Sequence, residues 1–311
     1  MTQGIGASGI LGIAREVTPG TYVAPEKYVP FMSETLKLMD DKKYRRPIRQ
    51  SADMIGHVLG NTHVEGDIDI EAFTDCIPYF MYASRLTVVK TGASAPFLYT
   101  GTPNANGVAG TTLSITIVRN GIVFAYVGCT VGQYTFTVGD DGELMYKVSI
   151  VGLDEAVQSS PSPTWPTTVP FGAGTYSVEI PTASQVFDSD TFEFAVNDNA
   201  AAEYRMKDTS RAASFVKFGE REATLKLMRD FDSRTDYDAF KAGTAQAVTV
   251  TATQDANNEI DIVSTTTVKD TYEVNIGGQG DLLRASISYN CEANSSGVPF
   301  TIAVTTTEDI T

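Results

Sequence analysis

Residues 64–70 read Val64-Glu65-Gly66-Asp67-Ile68-Asp69-Ile70, and a helical pattern follows at residues 74–83. Apolar and acidic side chains alternate in this stretch, which is the period of a β-strand with one buried face. Residues 222–227 read Glu222-Ala223-Thr224-Leu225-Lys226-Leu227, alternate in the same way and precede a second helical pattern at residues 233–242. A strand followed by one short helix therefore occurs in each half of the chain.

The spacing of matching residues indicates that one unit has been duplicated. Three matching pairs share one offset within three residues: Tyr44 with Tyr204, Ile68 with Leu225, and Phe80 with Phe240. Residues 138–144 return as residues 276–282 with an offset that is shorter by about 20 residues, so the first copy carries an insertion. Residues 91–112 are the predicted insertion because they are rich in turn-forming residues. Chance recurrence of strands and glycine-bearing turns is the alternative.

These repeats predict a mainly β protein of two tandem domains, each with one short flanking helix. The first domain is predicted at residues 1–160 and begins with an extended N-terminal arm; the second is predicted at residues 175–311. Residues 161–174 contain several prolines and form the predicted linker, because proline keeps a linker extended. Thr74 and Ser233 are the predicted helix N-caps, with Asp236 completing a capping box.

Composition limits the classes to which the chain can belong. Its 311 residues suffice for two domains of ordinary size, and no run of 18 or more apolar residues predicts a membrane span. The first residues lack a basic region before an apolar run, so a secretory signal is not predicted. The three cysteines are widely spaced and odd in number, which argues against a disulfide framework and favours synthesis in a cytoplasm.

The formal net charge of −15 predicts little affinity for nucleic acid. Binding to DNA depends on lysine and arginine side chains that displace counterions from phosphate, and an acidic surface does the opposite. Such a surface repels a duplex, which is useful where DNA must slide past a protein without adhering to it.

No motif for catalysis, a cofactor or a metal is found. His57 and His63 lack acidic or cysteine partners at ligand spacing, so they are predicted to lie in solvent or at an interface. Calcium is one interpretation of the acidic strand, but same-face residues lie about 6.6 Å apart along a strand and cannot converge on one ion. The strand is therefore predicted to present a solvated or channel-facing acidic surface, formed by Glu65, Asp67, Asp69 and Glu71.

Residues 40–61 are predicted to be a long polar loop, and they carry the densest basic cluster of the chain: Lys42, Lys43, Tyr44, Arg45, Arg46 and Arg49. The second copy has a counterpart at residues 197–218, with Tyr204, Arg205, Lys207 and Arg211. Tyr44 within a basic run could stack on a base, as in proteins that bind single strands. An acidic surface on a neighbouring copy of the same chain is the partner that the overall charge favours.

Residues 9–25 read GILGIAREVTPGTYVAP and lead into Tyr28-Val29-Pro30-Phe31 and Ser33-Glu34. This opening resembles that of the major tail tube proteins of long-tailed, non-contractile bacteriophages, in which A-x-E-x-T-x-G-T-x-x-A-P precedes the first strand, a long loop and a strand–helix unit. Beyond the first strand–helix unit the resemblance rests on the order of elements. The duplicated chain departs from the single-unit form of the family.

The resemblance implies β-sandwich or barrel units whose sheets join between neighbours around a channel. Rings of the family normally hold six units, and a long loop reaches from one ring to the next. For a duplicated chain it implies rings of three chains, with six chains as the other possibility. The basic cluster and its counterpart would then make inter-ring or inter-subunit contacts, and the channel would be lined by Glu65, Asp67, Asp69, Glu71 and Glu222.

The resemblance further implies a structural virion protein, made in the host bacterial cytoplasm and located in the tail. Its stacked rings would form an acidic conduit for genome DNA, with tape-measure, tail terminator and distal tail proteins as partners and no enzyme activity, cofactor or membrane. A β-sandwich binding module, such as a virion decoration or adhesin-like protein, is the alternative. A basic loop beside an acidic body favours the tube, because head-to-tail contacts between unlike surfaces make open stacks.

Overall fold

The structure is a computed structural model that describes residues 5–48, 52–104, 107, 110–139, 141–181, 189–206, 210–231, 233–276 and 278–310. These residues are mainly β and include two short α-helices, which confirms the predicted fold class. The first half contains β1 (Ile10–Arg15), β2 (Lys27–Tyr28), β3 (Ser33–Glu34), β4 (Lys37–Arg45), β5 (Gly56–Glu71), α1 (Ile77–Ala83), β6 (Leu86–Thr91), β7 (Phe97–Pro103), β8 (Leu113–Arg119), β9 (Ile122–Val138), β10 (Leu144–Gly152) and β11 (Asp154–Ala156). The second half contains β12 (Tyr176–Glu179), β13 (Ser189–Asn197), β14 (Ala201–Glu203), β15 (Phe215–Lys217), β16 (Glu222–Asp230), α2 (Thr235–Ala242), β17 (Gln246–Asp255), β18 (Asn258–Asn275), β19 (Arg284–Cys291) and β20 (Thr301–Thr306).

The same antiparallel pairing order occurs in both halves. One layer runs β3–β5–β10–β9 in the first half and β13–β16–β19–β18 in the second. The other layer runs β1–β8–β9–β11 and β12–β17–β18–β20. The long strands β9 and β18 each pass from one layer into the other. The change of layer interrupts the alternation of buried and exposed positions along β9.

The two halves join edge to edge. Strand β9 pairs antiparallel with β13, and Phe136 and Val138 lie opposite Phe194 and Phe192. One layer of the first half therefore continues directly into the matching layer of the second half. Backbone hydrogen bonds between edge strands are what make such a joint, so it needs no special side-chain motif.

The insertion in the first copy is a β-hairpin, and one of its strands pairs with a strand of the second half. Strands β6 and β7 pair with each other, and β7 also pairs with β20 near the C-terminus. The predicted insertion at residues 91–112 overlaps this hairpin, which begins earlier, at Leu86, and ends at Pro103. Lys90 also forms an ion pair with Asp309.

Aromatic side chains fill the core on one side of the joined layer. The ring centroids of Phe136 and Tyr146 lie 4.5 Å apart, and Phe80 of α1 packs on Tyr146 at 6.0 Å. In the second half, Phe194 meets Phe300 at 5.3 Å in an edge-to-face arrangement. Burial of each such ring stabilises the fold by about 1.5–3 kcal/mol.

The long loop predicted at residues 40–61 is wrong: residues 40–45 belong to β4 and residues 56–61 belong to β5, and these two strands pair as a hairpin. Both faces of the outer part of this hairpin are exposed, so no apolar alternation marks it as a strand. The helix caps also differ from the prediction. The helices begin at Ile77 and Thr235, Thr74 donates a hydrogen bond to Asn258, and Asp236 binds Lys269 and Arg229.

Glu16 of the opening motif joins the N-terminal segment to the core through hydrogen bonds to its carboxylate. Its side chain is almost fully buried, and its carboxylate accepts hydrogen bonds from the backbone N–H groups of Gly20 and Gly128 at 2.8 and 2.9 Å. The hydroxyls of Thr112 and Ser114 donate to the same carboxylate at 2.5 and 2.8 Å. Four donors compensate the burial of the charge, which gives this motif residue a structural role.

Candidate assembly surfaces

The first candidate surface is the uncovered face of the joined layer, called here the carboxylate face. Val64, Ile68 and Ile70 of β5 are buried, whereas the acidic residues between and beside them are partly exposed. The carboxylate face continues from the first half into the second, because residues on this side of each strand lie opposite one another in the strand register. One such row consists of Glu71, Met145, Thr137, Glu193 and Lys226. Its carboxylates are Glu65, Asp67, Asp69, Glu71, Glu193, Glu222, Asp230 and Glu273, and its cations are Lys37, Lys147, Lys226 and Arg284.

Cations on the carboxylate face lie beside its acids. Lys147 Nζ is 3.2 Å from Asp67, Lys226 Nζ is 2.7 Å from Glu193, and Arg284 Nε is 3.8 Å from Asp230. The hydrogen bond to Asp67 and the charges of Asp67 and Asp69 raise the pKa of Lys147. Carboxylates still outnumber cations among the described residues of this face, so it is acidic.

The second candidate surface is the arm, defined as residues 40–48 and 52–62 of the β4–β5 hairpin. Residues 41–48 are all exposed, and Lys42, Lys43 and Tyr44 lie opposite Leu59, Val58 and His57. The Tyr44 and His57 rings pack at 6.2 Å. The arm therefore combines the cations Lys42, Lys43, Arg45 and Arg46 with exposed apolar side chains, while Arg49 lies outside the described residues.

The counterpart segment of the second half packs on the base of the arm. Arg211 Nη1 donates to Asp40 Oδ1 at 2.8 Å, and the hydroxyl of Tyr204 lies 2.9 Å from His63 Nδ1. Backbone hydrogen bonds join Thr62 to Arg211 and to Ala213. Arg205 packs over the ring of Phe215, and Lys207 lies outside the described residues. Tyr204 and Arg211 are predicted to contact another ring or subunit. In the single chain they contact residues at the base of the arm.

A buried ion cluster reinforces the joint between the halves. Asp198 is 1% exposed, and its carboxylate lies 2.6 Å from Arg221 Nε and 3.7 Å from Arg85 Nη1. Arg221 also donates to the backbone oxygen of Arg85 at 2.6 Å. Burial raises the pKa of Asp198, and the two arginines oppose that shift.

The third candidate surface consists of the two open edges of the joined layer. At one end, β3 pairs only with β5 within the part of the chain that the structure describes. At the other end, the described residues of β18 beyond Thr267 pair only with β19. Unpaired edges leave backbone donors and acceptors free, and these are templates for pairing with another chain.

The described residues hold no group of three or more histidine, cysteine, aspartate or glutamate side chains placed to bind a metal. Their cysteines, Cys76, Cys129 and Cys291, are free thiols. None of the helices in the described ranges has the length and apolar character needed to cross a membrane.

Comparison with known families gives one match that covers nearly the whole chain. The model of the phage tail tube protein family matches residues 6–293. The chain belongs to the phage tail tube protein family. No individual curated protein matches it. Membership makes the chain a structural component of a virion tail that assembles into a tube with other tail proteins, and it points to a non-enzymatic role.

Several residues of these candidate surfaces are not predicted from the sequence. Glu193, Asp230 and Glu273 share the carboxylate face with β5, and alternation within residues 191–197 was the available signal. The pair Asp198 and Arg221 had no signal, because its partners come together only through the fold.

Proposed function

We propose that three chains close into a ring of six tube units and that such rings stack into the tail tube. The observation that carries this proposal is the β9–β13 joint, since it connects two units by edge pairing and leaves the same kinds of edge open at both ends. Strand β18 is the counterpart of β9, and β3 is the counterpart of β13. Pairing of β18 with β3 of the next chain repeats the internal joint.

The open edges favour a closed ring. A heterologous contact between unlike edges generates a ring if the rotation closes and an open filament if it does not, and only the closed ring leaves no edge of the layer free. Closure also removes exposed edges, which otherwise promote aggregation. Tail tube rings normally hold six units, and a chain with two units needs three copies to supply them. The units of this proposal are residues 1–160 and 175–311, connected by the linker at 161–174.

The carboxylate face is assigned to the channel. The opposite face of the joined layer carries α1, α2 and the second layer of strands, which need the larger space outside a ring. The uncovered face then points inward, with Glu65, Asp67, Asp69, Glu71 and Glu222 among its acids. An acidic wall keeps phosphates off the protein, so genome DNA passes without the binding that lysine and arginine contacts create.

The arm is assigned to the contact between rings. It projects from the body with exposed cations, and the rest of the chain is strongly acidic. Lys42, Lys43, Arg45 and Arg46 are the described cations of this contact, and Arg49 belongs to the same cluster. Arg205 and Lys207 of the second half are assigned to the same kind of contact. Tape-measure, tail terminator and distal tail proteins complete the tail around this tube.

The mass of the smallest closed assembly tests the proposal. The purified chain, observed by native mass spectrometry and negative-stain microscopy, is expected to give rings with three times the 33.4 kDa chain mass and hollow tubes of stacked rings. Rings of six chains would overturn the stoichiometry. Dispersed monomers at high concentration would favour the binding-module alternative.

A further inference from the structure

The two copies differ in the exposure of two matching apolar positions. Val138 and Leu144 end β9 and begin β10, and they are 8% and 4% exposed. Their sequence counterparts Ile276 and Leu282 lie between β18 and β19, and they are 81% and 69% exposed. Leu283 beside them is also exposed. The same repeat position is therefore covered in the first copy and uncovered in the second.

The cover in the first copy comes from the chain that enters the second half. Phe171 is buried, and its backbone oxygen accepts a hydrogen bond from Leu144 N at 3.4 Å. The hydroxyl of Tyr176 donates to Gly142 O at 2.9 Å. Val138 and Leu144 thus face a groove whose other wall is formed by Tyr176, Val178 and Phe192 of the second half.

The first half contains a second groove, whose lining corresponds to the wall that the second half contributes to the first groove. Strands β1, β3 and β8 are the counterparts of β12, β13 and β17, and the residues around them line a groove with Ile5, Phe31, Glu34, Ile117 and Arg119. In the first groove, Val138 at the end of β9 and Leu144 at the start of β10 form one wall. Among the described residues, no matching pair of side chains lines the second groove. Ile5 at its rim is 70% exposed.

We infer that Ile276 and Leu282 of one chain insert into the groove of a second copy, against its Ile5 and Phe31. This inference rests on the proposed ring, and it names the side chains that join one chain to the next. The occupant is a second copy because the internal joint already contains the same contact between matching parts. Ile5 and Phe31 give the groove an apolar part, and the Arg119–Glu34 ion pair at 2.6 Å lies on the same lining.

The test replaces the inserting side chains in the full-length chain. The double variant Ile276→Asp/Leu282→Asp is expected to raise the concentration needed for ring formation at least about tenfold, because it places charge in an apolar contact. Its thermal unfolding as a single chain is expected to match wild type, since both side chains are exposed there. Val89→Asp is the matched control: Val89 is 56% exposed on β6, outside the groove, and its variant is expected to form rings normally.

A second measurement detects the contact directly. Leu282→Cys combined with Ile5→Cys, in a Cys291→Ser background, is expected to give covalent species of up to three chains under oxidation of assembled rings. Each single cysteine variant is expected to remain uncrosslinked. If wild type forms three-chain rings but the aspartate variant assembles equally well, or no crosslink forms, the groove assignment is overturned and the ring proposal stands. If wild type forms no three-chain rings, the proposed function itself fails.

Discussion

Phe136 of the first half lies directly opposite Phe194 of the second half in the antiparallel pair of β9 and β13. Both rings are almost fully buried, so the joint between units belongs to the core of the chain. A covalent linker holds the two units at high effective concentration, which makes this joint an intramolecular step. In a three-chain ring, half of the joints are then formed before chains meet.

The arm cations are expected to control stacking of rings. Replacing Lys42, Lys43, Arg45 and Arg46 with serine is expected to leave rings intact and to prevent tubes, since desolvated interface charges contribute more than the usual 1 kcal/mol or less of exposed ion pairs. Electron microscopy of assembled samples gives the readout.

A charge-conserving variant, in which Lys42 and Lys43 become arginine, is the control for the arm and is expected to form tubes. Tube formation by wild type is also expected to weaken as salt rises, because exposed charge pairs are screened. Tubes that form at normal rates from the serine variant would assign the arm another role.

The carboxylate face is expected to be enclosed in the assembled tube. Ser286 on this face and Thr87 on β6 are both exposed in the single chain. In a Cys291→Ser background, a bulky polymer-linked maleimide is expected to label Thr87→Cys in tubes but not Ser286→Cys, and to label both in monomers. Equal labelling of both positions in tubes would put this face on the outside.

Glu16 is expected to be among the most sensitive positions for stability. Glu16→Ala leaves the N–H groups of Gly20 and Gly128 and two hydroxyls without their acceptor, at a cost of about 3 kcal/mol or more in the free energy of unfolding. Glu26→Ala in the same segment removes an exposed side chain and is expected to cost under about 0.5 kcal/mol. Urea unfolding measures both, and similar losses would contradict this role.

Loss of Arg221 is expected to make stability strongly dependent on pH. Arg221→Met leaves the buried Asp198 carboxylate without its nearest cation. We expect it to lower the free energy of unfolding by about 3 kcal/mol at neutral pH. Because burial raises the folded-state pKa of Asp198 above its unfolded value, the folded state binds the proton more tightly. Loss of Arg221 removes the main charge that opposes this rise, so the pKa of Asp198 lies higher still in the variant, and the deficit of the variant shrinks as pH falls through that higher pKa.

Urea unfolding at neutral and mildly acidic pH provides the measurement. Adding Asp198→Asn to Arg221→Met is expected to recover part of the stability at neutral pH and to remove the extra pH dependence. A deficit that stays constant with pH would mean that Arg221 acts through packing alone.

The sequence predicted those parts of the fold that have one buried face. Alternation of apolar and polar residues predicts β5 and β16. The carboxylates of β5 lie together on one face of the strand, and Val64, Ile68 and Ile70 are buried on its other face. The repeated order of elements is matched by repeated strand pairing. The basic cluster was found from composition alone, and the structure has its described residues exposed on the arm.

Other features leave no trace in a single sequence. The sequence predicts a loop where the arm lies, because a hairpin solvated on both faces has no buried periodicity. The β9–β13 joint is made by backbone groups that every strand carries, so no residue type indicates it. The contrast between Leu144 and Leu282 is one of environment, since the residue is the same and only the covering chain differs.

A cryo-electron microscopy map of the assembled tube would show directly which strands join one chain to the next. We expect threefold rings with six similar lobes, in which β18 of one chain pairs with β3 of the next as β9 pairs with β13 inside the chain. A ring of six chains, or one in which β18 and β3 remain unpaired, would contradict it.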